Sequence, residues 1–200
     1  MKNILAALVT VMGISITANA GWVVEPGVGY SGGGQLSYKW AATTYTFNES
    51  GILGDITISY LFPNGMYVGF EGSTTQSGAL AASAGTTNND TFYRNAGGAV
   101  FGWKHNRFDM NLGYMAIDNI YVTKDVANVN SPDALYGTGI GGRVGFNFTP
   151  AWSVNVMYYV PTYTTYDKGA TKGATVAVAN YSNVTDGAAT LMFQYSWPSK

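Results

Sequence analysis

Seven charged side chains carry most of the chemistry this sequence can offer: Glu25, Asp55, Glu71, Arg94, Lys104, Asp109 and Arg143. Each lies in a stretch where polar or small residues alternate with apolar ones, and all seven fall on the polar side. Charges enclosed away from water persist only when paired. The chemistry is therefore ion pairing. Arg143 is expected to be the hub for Glu71, Glu25 and Asp55, with Arg94 and Asp109 in the same network and Arg107 at its rim. Glu71 lies five residues after Met66 and Arg143 five before Phe148, so both stand about 16 Å from the same end of their strands.

Other chemistries lack parts. There is no cysteine, hence no disulfide, thiolate metal site or cysteine nucleophile. His105 is the only histidine, and its place in an expected short turn keeps it from a Ser-His-acid arrangement at the opposite rim. No residues have metal-ligand spacing. No catalytic residue, metal or cofactor is expected. With 10 basic and 11 acidic side chains and no basic patch, nucleic acid is not an expected partner either.

Strands must position these charges. From residues 22–30, Trp22, Val24, Pro26, Val28 and Tyr30 share one face, and Glu25, Gly27 and Gly29 the other. That period of two recurs at 52–62, 66–73, 92–103, 108–117, 136–148, 152–161 and 187–197, giving eight strands. No charge falls on the apolar face, where a basic residue at a bilayer midplane costs ~2–4 kcal/mol. Charged residues make up 10% of the chain against a usual ~25%, as a lipid-facing wall requires. A sheet edge in lipid would leave backbone groups unpaired, so the strands must close into a barrel.

Short connections at 63–65, 104–107 and 149–151 alternate with long ones at 31–51, 74–91, 118–135 and 162–186. Short turns on the periplasmic side and long loops outside are the usual asymmetry of such barrels. Within the last loop, Thr175 to Val178 alternate as if to extend strands beyond the membrane. Trp22, Trp103, Trp152 and Trp197 fall at the short-turn level as a periplasmic girdle, and Tyr30, Tyr93, Tyr114, Tyr136 and Tyr158 toward the other end. Ahead of the strands, Lys2, the apolar run Ile4 to Ile16 and Ala18-Asn19-Ala20 have the layout of a cleaved secretory signal over 1–20. The single domain expected is thus 21–200.

Val24-Glu25-Pro26-Gly27-Val28-Gly29-Tyr30 resembles the opening of small outer-membrane barrels of the OmpA, OmpX and OmpW type. Gly102-Trp103-Lys104-His105 is similar to their fourth strand. Leu191, Phe193, Tyr195 and Trp197 resemble the C-terminal assembly signal, here followed by Pro198-Ser199-Lys200. The resemblance implies an all-β, up-and-down, eight-stranded barrel integral to a bacterial outer membrane. Its implied partners are outer-membrane lipid, lipopolysaccharide and the assembly machinery. The function expected first is a non-enzymatic structural or surface-interaction barrel with a side-chain-plugged lumen, meeting an extracellular partner through 31–51 and 162–186. A narrow channel for ions or small apolar solutes is the runner-up, and a lipid-modifying barrel enzyme comes third.

Overall fold

A computed structural model describes residues 20–40, 43–84, 90–123, 134–167, 175–177 and 181–198. Of the expected leader only Ala20 is among them. The strands are β1 (Gly21–Trp40), β2 (Thr43–Leu61), β3 (Met66–Ala84), β4 (Asp90–His105), β5 (Phe108–Thr123), β6 (Ala134–Asn147) and β7 (Trp152–Asp167). They are followed by β8 (Thr175–Ala177), β9 (Tyr181–Thr185), β10 (Ala188–Tyr195) and β11 (Trp197–Pro198). Each of β1 to β7 pairs antiparallel with the next, and β10 pairs with both β7 and β1. The ring is thereby closed with eight walls, β11 continuing the last of them along β1. Every interior edge has found a neighbour, as an apolar medium demands.

The apolar face points outward. Phe70 and Leu112 are each 72% exposed, and Val28, Ile52, Ile140, Val144 and Val156 are also exposed along the outer wall. No membrane-length apolar helix occurs among the described residues, and none is needed in a protein that crosses with strands. Rings cluster at the short-turn end, where Trp22 meets Tyr60 edge-on at 5.7 Å and Trp152 meets Tyr195 at 4.9 Å. At the far end Tyr93 stacks on Tyr121 at 4.7 Å, and Tyr121 meets Tyr136. Trp103 stacks on His105 at 4.9 Å rather than standing alone.

Two expectations about the connections need correction. His105 is the last residue of β4 and only Asn106 and Arg107 form the turn; Asn106 takes φ 51° there, a conformation asparagine tolerates. More substantially, most described residues of the long connections 31–51, 74–91, 118–135 and 162–186 are strand. β1 and β2 pair as far as Trp40 and Thr43, about ten residues past Tyr30. Above the lipid both faces of a strand can be polar, so alternation fades while backbone pairing continues. Thr175 to Ala177 do form a strand, on β7; Val178 lies outside the described residues.

Register irregularities ring the barrel near the outer tyrosines. They fall between Ser31/Gly34, Ser50/Ile52, Thr75/Gly78, Gly97/Gly98, Met115/Asp118 and Tyr136/Gly137. A bulge adds a residue to one strand and shifts which face the next residues take. On β5, Met115 and Asp118 are both buried inside, with Ala116 and Ile117 outside between them. On β1, Gly33 supplies the left-handed φ of 72° that the bulge requires.

Candidate functional site

The lumen is the candidate site, and it holds two charge clusters rather than one. The lower begins at Arg143 on β6, which is 1% exposed. Its guanidinium lies 3.6 Å from Asp109, 3.7 Å from Glu71, 3.9 Å from Glu25 and 4.0 Å from Asp55. These come from β5, β3, β1 and β2, so a single cation spans the barrel. At roughly 4 Å and an effective dielectric of ~20, each pair is worth about 4 kcal/mol before desolvation and mutual carboxylate repulsion. Lys104 is the second cation, pairing with Glu25 and standing 3.6 Å from Asp109.

Neutral donors provide most of the short bonds. Tyr67 donates its hydroxyl to Asp109 at 2.8 Å, and Tyr159 donates to Glu71 at 2.7 Å. Gln194 donates to Asp55 at 3.0 Å and is itself held by Asn155 at 3.1 Å. Ser196 donates to Glu25, and Arg143 donates to Thr57 at 3.2 Å. The two tyrosine rings fit because glycines face them: a Cβ at Gly102 would collide with Tyr67, and one at Gly141 with Tyr159. Above them Leu53, Val100, Met115, Met157 and Met192 pack with the same rings into a buried apolar layer. Paired charges below and close-packed side chains above leave little lumen. A vestibule of about 570 Å³ opens at the short-turn end among Val23, Leu61, Lys104, Arg107 and Phe148.

Arg94 does not join Arg143, which corrects the single network expected. It belongs to a separate upper cluster, gripping Asp118 through Nε and Nη2 at 2.7 Å each and reaching Asp186 at 3.5 Å. Tyr163 donates to Asp186 at 2.7 Å, and Glu49 is buried in the same group. Asp118, Asp186 and Glu49 are residues that the alternation misses. Strict period two from Phe108 turns Asp118 toward lipid; the bulge turns it inward. Glu49 and Asp186 lie in stretches that read as loop. Asn111, Asn155 and Gln194 fall on the inward face by parity, but only the register between strands joins Asn155 to Gln194, while both polar atoms of buried Asn111 lack a hydrogen-bond partner.

His105 meets Asn106 at 3.1 Å beside the Trp103 ring. Among the described residues no group of three or more His, Cys, Asp or Glu side chains converges as a metal site. Leu191, Phe193 and Trp197 of the expected assembly signal face outward, with Tyr195 edge-on to Trp197 at 6.4 Å.

No protein-family profile and no curated protein sequence matches the chain. Solved structures do. The outer membrane protein OprG from Pseudomonas aeruginosa aligns over 92% of this chain and 100% of its own, at TM-score 0.52 and 10% identity. Neisserial surface protein A aligns over 89% and 99%, at 0.51 and 12%. Ail, the attachment invasion locus protein of Yersinia pestis, solved in complex with the heparin analogue sucrose octasulfate, aligns over 88% and 99%, at 0.51 and 14%. Such low identity speaks to architecture alone. Closed ring, outward apolar wall and these likenesses agree that the chain has the fold of small eight-stranded outer-membrane β-barrels of the OmpA/OmpX/OmpW type.

Proposed function

We propose that this protein is a non-enzymatic outer-membrane barrel that presents a surface rather than passing solutes, with a lumen plugged by paired side chains. The observation that carries this reading is Arg143, buried and within 3.6–4.0 Å of four carboxylates from four strands. A side chain so placed crosses the passage, and the buried apolar layer above it supports the same reading. The strands that run on past the outer tyrosines, from both 31–51 and 162–186, supply the surface for an extracellular partner or lipopolysaccharide. The attachment and heparin-analogue binding named for Ail support a surface-interaction role by analogy of fold only. Recognition of Leu191, Phe193, Tyr195 and Trp197 by the assembly machinery, after removal of 1–20, completes the proposal.

A second reading, a narrow ion channel, rests on the looseness of the same contacts. Glu25 Oε2, Asp55 Oδ2 and Glu71 Oε2 accept no hydrogen bond from protein, so Arg143 could trade partners and open a path. Single-channel conductance of refolded residues 21–200 in a planar bilayer, beside Arg143→Ala, separates the two. A silent parent and a conducting variant are expected. Steady discrete current through the parent would make transport the leading function.

A further inference from the structure

Like the lower cluster, the upper holds more acid than cation; unlike it, the upper leaves one carboxylate, Glu49, with no donor on either oxygen. Arg94, 14% exposed at its side chain, commits Nε and Nη2 to Asp118 and turns Nη1 to Asp186. The Tyr163 hydroxyl takes the same Asp186 oxygen, Oδ2. Left over are Asp186 Oδ1 and both oxygens of Glu49, buried and without a donor. Glu49 is 3% exposed, Asp118 0% and Asp186 7%. Three ionised carboxylates around one guanidinium would bury a net charge of −2 where water cannot screen it. One proton removes half of that charge. It also turns two orphaned acceptors into a hydrogen-bonded pair.

We infer that Glu49 and Asp186 share one proton, and that this proton clasps the outer mouth of the barrel shut. Glu49 sits on β2, three residues beyond Ile52, above the lipid-facing section. Asp186 sits on the link between β9 and β10. The clasp therefore ties the last outer segment to β2, past the intervening β1, while Arg94 ties it to β4 across the ring, over a cavity of about 30 Å³ lined by Arg94, Asp118, Thr75 and Thr190. That volume admits about one or two water molecules. Among the described residues, the charged groups acting on Glu49 are Asp186, Arg94 on β4 and Asp118 on β5, and Tyr163 on β7 bonds Asp186. Burial first, and the Asp186 charge second, hold the Glu49 carboxyl well above the ordinary carboxylate range.

The sign follows from linkage. An acid whose value is raised in the closed state adds stability that is complete at low pH and is lost as pH rises through the raised value. Acid keeps the mouth closed and alkali opens it. The inference concerns the outer mouth, and it stands whether or not the Arg143 plug conducts.

Amide hydrogen exchange of the refolded protein in lipid vesicles, corrected for the intrinsic pH dependence of exchange, tests it. Protection at residues 186–188 should fall roughly tenfold or more between about pH 5 and about pH 9, while residues 154–158 within the membrane hold theirs. In Glu49→Gln, which bonds Asp186 without ionising, the fall should vanish. A flat parent profile, or an equal fall in the variant, overturns the clasp. Should the variant not refold, infrared difference spectra of the parent decide. A protonated-carboxyl band present at neutral pH and titrating in step with exchange supports the shared proton, and its absence overturns it.

Discussion

Arg143 and Arg94 place guanidiniums in the same lumen, the first buried and the second partly exposed, yet they are held differently. Arg94 makes a two-pronged bond to Asp118 at 2.7 Å, the geometry in which arginine and carboxylate fit plane to plane. Arg143 meets four carboxylates at 3.6–4.0 Å and grips none of them. Around it, the Tyr67, Tyr159 and Ser196 hydroxyls and the Gln194 amide give each acid at least one bond. The contrast teaches that charge balance and hydrogen-bond balance are separate requirements. Both clusters hold two more acids than cations; the lower gives every acid a donor, and the upper makes one strong pair and leaves Glu49 with none.

The comparison can be broken most severely at Arg143. Replacing it with alanine strands four carboxylates around one remaining cation, and breaking a buried pair in this way costs about 3–5 kcal/mol. Urea unfolding of the vesicle-embedded barrel, followed by tryptophan emission, should show a loss of that size across the whole transition. Arg94→Ala should cost less, about 1–3 kcal/mol, and unevenly: exchange protection should collapse at residues 186–188 and persist in β5 to β7 below the outer tyrosines. An equal, uniform loss in both variants would erase the distinction between the two clusters. Tyr159→Phe removes only the donor to Glu71 Oε1 and should cost about 1 kcal/mol. Lys104→Gln should fall within about 1 kcal/mol, since its partner Glu25 keeps the Ser196 bond and Lys104 is partly solvated at the vestibule.

How much of this could be read beforehand depends on where lipid enforces the pattern. Between the turn end and the outer tyrosines, each outward residue must be apolar, so the faces of β1 to β7 and β10 follow from alternation alone. Arg143, Glu71, Glu25 and Asp55 could be grouped because they share a face and a height. Arg94 also shares that face, but it stands on Thr75 of β3 and Ile120 of β5, a level at which Asp118 is the adjacent acid. Nothing in the alternation around 115–118 marks a bulge, because Ala116 and Ile117 are both acceptable to lipid. Beyond the bilayer no medium sorts the faces; there only Thr175 to Val178 alternate in a way that reads as strand, and Glu49 and Asp186 stand in stretches that read as loop. Tyr67 and Tyr159 pointed inward by parity, but their task depended on Gly102 and Gly141 across the wall, a relation that needs the register between strands.

The ring of bulges has a consequence for how such a molecule can change over generations. Each extra residue absorbs a shift in phase at the height where lipid ends. An outer segment can thus lengthen, shorten or be exchanged for another without rotating a single membrane-facing side chain. The bulges make the barrel a socket and the outer sheet its interchangeable head, so surface novelty can accumulate while the buried half is inherited unaltered.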